Sequence, residues 1–372
     1  MHFYRLICPK ISAVRFRFHG FVLLVFLLSC KEERRPARGV AAPSAKNVRI
    51  QFMDVEKSRV PYGDTLWVTL EVDDPEEVVR INLHVTRGRV PMVQRDDYTF
   101  GIPTLEMGGG QHGLRAEAML ADSSLLRGSA SVRVVLPEAP PEWSFRLIDT
   151  YPHDIKSYTQ GLVYHEGVLF ESAGQYGKSD VRKVALETGE VLLRKPLDAE
   201  FFAEGLALAD GELFQLTWRE RTVFVYDLAT LNQQRRFGFD FGNGEGWGLA
   251  WTGEHFVFSD GSADLYLLRP EDWSVERQIR VFDHQGDVIR LNELEYVDGK
   301  IYANMLDDER IAVIDVESGA VQAYWNLAGI LDKRKVQHRV DVMNGIAYRP
   351  DTRTFLITGK LWPSMFEVVP VL

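Results

Sequence analysis

Nine side chains stand where a repeated segment keeps its frame but changes its residue. Gln160, Glu204, Trp247, Asn292 and Asn344 each precede a two-residue mark that opens an apolar run: Gly161-Leu162, Gly205-Leu206, Gly248-Leu249, Glu293-Leu294 and Gly345-Ile346. Trp218, Asp260, Asn304 and Lys360 follow the next apolar run of their own repeats. With Asp260-Gly261 read as a turn, the set holds one carboxylate, one ammonium, amides and two indoles. That combination suits a small zwitterionic or amide-bearing ligand held by stacking and hydrogen bonds. Glu204 sits in Phe201-Phe202-Ala203-Glu204-Gly205-Leu206. Aromatic neighbours there would desolvate the carboxylate and raise its pKa toward a value useful for proton transfer. A solvated loop acid is the plainer reading, and the residues alone leave both open. Trp218 and Trp247 read equally well as packing residues, and Asn292 and Asn344 as residues that hold loops. Asp307-Asp308-Glu309 reads as a solvated turn rather than a metal cluster, and the isolated His84 and His112 read as structural. No metal site is expected.

The elements that must position these side chains are short strands. The central residues of the five marks are 44, 43, 45 and 52 residues apart, and each unit carries several runs of period 2. Such a period is how a propeller blade reads in sequence. Five repeats predict five blades over 143–372, with residues just before each inner strand facing one mouth of the central channel. The strand expected at Phe145–Tyr151 is placed to close the ring against the last strand, Met365–Val369. Before it, 47–137 shows short alternating strands, as in Leu66-Trp67-Val68-Thr69-Leu70-Glu71-Val72, and predicts an immunoglobulin-like β-sandwich. Gly108-Gly109-Gly110 reads as flexible, and Pro137-Glu138-Ala139-Pro140-Pro141 as a stiff linker and domain boundary. The sandwich shows no catalytic cluster and reads as a spacer or docking module.

Composition narrows the partners. The chain has 372 residues, 45% hydrophobic and 26% charged, with a formal net charge of −10. An acidic balance argues against nucleic acid, which attracts a basic face. Residues 1–30 run from a basic segment into Phe21–Leu28 and end in Leu27-Leu28-Ser29-Cys30. This reads as a secretory signal closed by a lipobox, with Cys30 lipidated and 31–46 a tether from the membrane. The expectation is an exported protein, lipid-anchored to a bacterial cell envelope. Cys8 and Cys30 are the chain's two cysteines, so a mature form on this reading has no thiol and no disulfide.

At these residues the chain resembles a known family. Tyr151-Pro152-His153-Asp154, Tyr158-Thr159-Gln160-Gly161-Leu162, Phe170-Glu171-Ser172, Glu204-Gly205-Leu206, Trp247-Gly248-Leu249, Arg290–Tyr296, Asn344-Gly345-Ile346-Ala347 and Thr358–Pro363 are similar to motifs of the glutaminyl-peptide cyclotransferases of the plant and bacterial type. The resemblance covers about 145–372. It implies a five-bladed β-propeller that converts N-terminal glutamine of peptides or proteins to pyroglutamate and releases ammonia. It implies Glu204 as general acid/base, with Gln160, Asn292 and Lys360 orienting substrate or stabilising the oxyanion, and Trp218 and Trp247 walling the pocket. It implies no redox cofactor or catalytic zinc and leaves room for a structural cation in the channel. A monomer is expected. Leu306 departs from the pattern, where a further pocket aromatic is expected after Ala303-Asn304-Met305. The competing class is a non-catalytic propeller that acts as a binding or scaffold lipoprotein; a six-bladed calcium hydrolase does not fit a count of five.

Overall fold

A computed structural model describes residues 50–53, 59–86 and 90–372. The leader, the tether and Cys30 lie outside the described residues. The described chain is all-β. Its helical pieces are one turn of α-helix, Thr104–Met107, and two 3-10 turns, Pro75–Glu77 and Lys333–Lys335.

The first part of the chain forms two four-stranded sheets. One orders Ile50–Met53, Thr65–Val72, Thr99–Pro103 and Val93–Gln94; the other orders Arg59–Pro61, Leu125–Val135, Gly110–Leu120 and Val78–Val85. Thr65–Val72 alternates strictly between exposed and buried, as a strand with one face on a core must. Leu66, Val68 and Leu70 share that core with Leu114, Ala116 and Val132 of the other sheet.

The remainder is a series of four-stranded antiparallel meanders. The first runs Thr159–His165, Val168–Ala173, Asp180–Ala185, Val191–Pro196; the second runs Ala203–Ala209, Glu212–Thr217, Thr222–Asp227, Gln233–Gly238. The third runs Leu249–Trp251, Phe256–Ser259, Asp264–Leu268, Val275–Arg280; the fourth runs Leu291–Val297, Lys300–Met305, Arg310–Asp315, Val321–Asn326. The fifth takes Met343–Arg349, Thr354–Gly359 and Ser364–Val371 from the chain's end and Glu142–Pro152 as its fourth strand. In the first, second and fourth meanders the first and second strands are joined by two-residue turns with positive φ at both positions (Glu166-Gly167, Asp210-Gly211, Asp298-Gly299), the type I′ geometry that suits twisted hairpins. The five first strands adjoin in cyclic order, the last against the first.

Glu142–Pro152 also pairs in parallel with Val321–Asn326, so it joins the fourth and fifth meanders into one eight-stranded sheet. The segment read as a linker is tied down at both ends: Leu136 N–H donates to Asp283 O, and Tyr324 N–H donates to Pro141 O. Gly108-Gly109-Gly110, expected to be flexible, is a packing point. A Cβ on Gly109 would lie 2.0 Å from the Phe282 ring, and Gln111 N–H donates to Asp287 Oδ1. Tyr62 meets Phe282 edge-on at 5.1 Å. The described residues accordingly form one compact unit.

Three of the marks, Gly161, Gly205 and Gly248, are glycine because neighbouring first strands touch. A Cβ on Gly161 would lie 2.4 Å from Leu206 N, on Gly205 2.6 Å from Leu249 N, and on Gly248 1.9 Å from Asn292 O. Gly248→Ala is the most severe of these changes, because backbone cannot step aside as a side chain does. It should cost about 3 kcal/mol or more of unfolding free energy, the upper range for overpacking, as measured by urea denaturation. A wild-type midpoint would refute the close-approach argument.

Candidate active site

Four of the five first strands begin with an irregularity, the third, Leu249–Trp251, being regular. The register shifts between Thr159 and Gly161, Ala203 and Leu206, Leu291 and Leu294, and Met343 and Ile346. A bulge of this kind re-aims a side chain out of the normal alternation. It frees Gln160, Glu204 and Asn292 from the ladder and turns them toward one end of the ring. Trp247 reaches the same place through the loop before Leu249–Trp251. Trp218 and Lys360 reach it from the ends of second strands.

These six residues line one cavity of about 270 Å³, together with Tyr158, Phe202 and Leu306. Pockets for drug-sized ligands run from about 300 Å³ upward, so this one takes a group of one or two residues. Phe202 meets Trp218 edge-on at 5.5 Å and Tyr158 at 6.3 Å. Leu306 supplies the aliphatic part of the wall. Asn344 does not line the cavity. It lies behind Gln160, donating from Nδ2 to Gln160 Oε1 at 3.2 Å and to Thr159 O at 3.0 Å. Asp260 and Asn304, grouped with Trp218 and Lys360 by their place in the repeat, also stay outside. Asn304 Oδ1 accepts from Gly345 N–H, and Asp260 Oδ2 accepts from Asn243 N–H. Asp307, Asp308 and Glu309 face outward into ion pairs with Arg290, Arg310 and Lys333. Among the described residues no cluster of His, Cys, Asp and Glu is arranged to hold a metal.

Glu204 is 6% exposed and accepts a hydrogen bond from Gln160 Nε2 at 2.9 Å. Burial pushes its pKa well above the ordinary value of 4.5; the Lys360 ammonium opposes this, and the Glu245 and Glu220 carboxylates add to it. Lys360 is equally buried, with Nζ 4.9 Å from the centroid of the Tyr158 ring. Burial lowers its pKa from 10.5, against the pull of Glu204, Asp341 and Asp307. The pocket therefore holds an acid and a base whose proton affinities have moved toward each other, the condition for acid–base work near neutral pH.

Three features were not singled out in the sequence. Glu245, two residues before Trp247, orients both indoles: its Oε2 accepts from Trp218 Nε1 at 2.9 Å and from Trp247 Nε1 at 3.1 Å. The Gly242–Gly246 loop that carries Glu245 is shaped by Asp260 and Asn243. Tyr158, two residues before Gln160, had the same kind of signal, a lone bulky residue beside a marked one.

The third feature is a buried clamp. His153 Nε2 lies 3.1 Å from Glu171 Oε1, the same oxygen that accepts from Thr159 Oγ1 at 2.7 Å and from Ser157 Oγ. His153 Nδ1 bonds Trp362 O, and Leu361 N–H donates to Ser157 O. The clamp thus ties the loop carrying Tyr158 and Gln160 to the loop carrying Lys360. Burial disfavours both charges, but the pair outweighs it: Glu171 falls to about 2, and His153 rises above its ordinary 6.5.

The fold and pocket define an all-β protein with a buried carboxyl and a buried lysine lining a cavity at one end of a ring of meanders. The family model for glutamine cyclotransferase matches residues 118–369, and the chain belongs to that family. The match begins before residue 145 and takes in the last strand of the first part. The Arabidopsis thaliana protein named glutaminyl-peptide cyclotransferase is 39% identical over 226 residues, 60% of this chain and 70% of that one. The crystal structure of Myxococcus xanthus glutaminyl cyclase is similar with a TM-score of 0.57 and 33% identity, over 62% of this chain and 98% of that one.

Removing one partner of a buried pair strands the other charge, at a cost of about 3–5 kcal/mol. Glu171→Gln should lose that much unfolding free energy, and His153→Gln/Glu171→Gln should lose less. The raised His153 stabilises fully below pH 6.5 and less as pH climbs through its folded value. The depressed Glu171 stabilises fully above 4.5 and is lost as pH falls toward about 2. The stability difference between wild type and the double variant should therefore peak between pH 4.5 and 6.5. Denaturation curves across pH check it; a difference that does not vary with pH would show the pair to be uncharged.

Proposed function

We propose that this protein is a glutaminyl-peptide cyclotransferase, converting the N-terminal glutamine of peptides or proteins to pyroglutamate with release of ammonia. The observation that carries the reading is Glu204: a desolvated carboxyl and a desolvated lysine lining one pocket that takes one or two residues, in a chain of this family. The α-amine attacks its own side-chain amide carbon. The N–C bond of the lactam forms, the bond from that carbon to the amide nitrogen breaks, and one proton passes from the amine to the departing nitrogen. Glu204 receives that proton as base and returns it as acid. No electron is transferred, so the reaction calls for no redox cofactor. Because the attack is intramolecular, holding the ring-closing conformer supplies much of the rate.

The other side chains divide the remaining work. Gln160 donates to Glu204 and fixes the acid–base oxygen, while Asn344 holds Gln160 from behind. Lys360 and Asn292 face the substrate amide and stabilise its developing oxyanion. Trp218 and Trp247, oriented by Glu245, wall the glutamine side chain and exclude water. We read the five meanders as blades of a five-bladed β-propeller, and 47–137 as an immunoglobulin-like sandwich docked on its side. The leader and Cys30 support export and lipid anchoring to a bacterial envelope, with the protein acting as a monomer.

Incubation with a glutamine-initiated dipeptide should release ammonia, and Glu204→Gln should lower kcat by about 10²–10⁴, the span for general acid–base groups. No ammonia from wild type would sink the reading; full activity in Glu204→Gln would sink the role of Glu204. The same substitution should make the protein more stable at neutral pH. A carboxyl whose folded pKa lies above its ordinary 4.5 costs the fold increasingly as pH rises through that interval. A glutamine carries no such cost, so the gain should vanish below about pH 4. Thermal melts of both proteins across pH measure it.

A further inference from the structure

Beside the pocket lies a larger cavity of about 420 Å³, lined by Lys156, Lys178, Arg182 and Arg194 with Asp154. Two carboxylates serve its two guanidiniums. Arg182 pairs with Asp154 at 2.9 Å and with the fully buried Asp180 at 2.6 Å, and Arg194 pairs with Asp180 at 2.6 Å. Lys156 and Lys178 have no carboxylate partner among the described residues; Lys178 Nζ reaches the amide oxygen of Gln175 at 3.5 Å. The cavity thus keeps a surplus of positive charge on a chain whose net charge is −10.

The two cavities share a wall one glycine thick. Gly174 lines the basic cavity, and its N–H donates to Tyr158 O. A Cβ on Gly174 would lie 2.5 Å from the Phe202 ring and 2.9 Å from Gln160 Cγ, both residues of the pocket. The cavity also opens at the same end of the ring. Gln175–Lys178 follow the second strand of the first meander, as Trp218 follows that of the second.

We propose that the basic cavity is a second subsite for the same substrate, one that receives acidic side chains a few residues after the N-terminal glutamine. The proposal rests on the cyclotransferase reading. A glutamine seated in the pocket leaves the rest of its chain to exit past Phe202 and Gly174. An extended chain advances about 3.3 Å per residue, which brings residues three to five over the shared wall. Lys156 and Lys178 then supply the charges that Arg182 and Arg194 cannot, since those are already paired. The preferred substrates are peptides and proteins with an acidic segment behind the terminal glutamine, and basic segments are repelled.

Three peptides with N-terminal glutamine, differing only in acidic, neutral or basic residues at positions three to five, test this on the full protein. The acidic peptide should exceed the neutral one in kcat/KM by about three- to tenfold at low ionic strength, the scale of two exposed ion pairs. The gain should lie in KM and shrink as salt screens it. Lys156→Ser/Lys178→Ser should bring the three peptides level. Equal kcat/KM in wild type, or the same ranking in the double variant, overturns the subsite and leaves the cyclotransferase reading intact. If no peptide is turned over, that reading fails, and binding of an N-acetylated acidic peptide, which has no amine to cyclise, decides the subsite. Weaker binding to the double variant supports it, and equal binding overturns it. Inorganic phosphate that displaces this peptide at the peptide's own concentration would assign the cavity to small anions and overturn the peptide assignment.

Discussion

Along the ring axis the first strands come so close that a side chain has no room to leave the backbone. Gly161, Gly205 and Gly248 each face backbone atoms of the next strand within van der Waals contact of where a Cβ would sit. The fourth mark departs from this rule and shows what the space is for. Glu293 is fully buried there, with Oε1 accepting from Leu162 N–H and Oε2 from Ile346 N–H. One carboxyl from the fourth meander thus bridges the first strands of the first and fifth, across the point where the ring closes. Because the bulges sit directly beside these contacts, the ring geometry and the aim of Gln160, Glu204 and Asn292 are set together.

The pocket's chemistry follows from how few donors reach its acid. Trp218, Trp247, Phe202 and Tyr158 remove water from Glu204, and Gln160 is its hydrogen-bond donor among the described residues. Lys360 pulls the proton affinity of Glu204 down, and burial in turn lowers the proton affinity of Lys360. Glu245 and Glu220 sit farther out and push the other way. Glu245 therefore does two things at once: it fixes the indoles through Oε2 and raises the proton affinity of the carboxyl they cover.

Periodicity made the ring legible. Alternation every two residues and marks about 44 apart marked out the strands, and the invariant frame around Gln160, Glu204, Trp247 and Asn292 pointed to residues that do meet. Asn344 shares that frame yet turns away from the cavity, its Nδ2 donating to Thr159 O and to Gln160 Oε1. The frame records a place in the repeat, not a direction in space. What sequence could not reveal were contacts between distant loops. Gly108-Gly109-Gly110 looks the same whether it waves in solvent or presses on Phe282. Glu245 gains meaning only when two tryptophans 29 residues apart converge on one oxygen.

Three buried glutamates show how one residue type is set to different tasks. Glu171 is surrounded by donors that favour its charge, His153, Ser157 and Thr159, and stays ionised to about pH 2. Glu293 receives two backbone N–H groups, yet burial and the neighbouring Glu295 carboxyl still raise its pKa, so its role is to bridge strands rather than to carry charge. Glu204 takes a single side-chain donor and faces a cavity. A carboxyl held by many donors cannot give its charge up, and one held by rigid backbone cannot turn toward a ligand. Of the three, only Glu204 combines a high proton affinity with an open approach. The burial that destabilises its anion in the folded chain is also what fits it to exchange a proton.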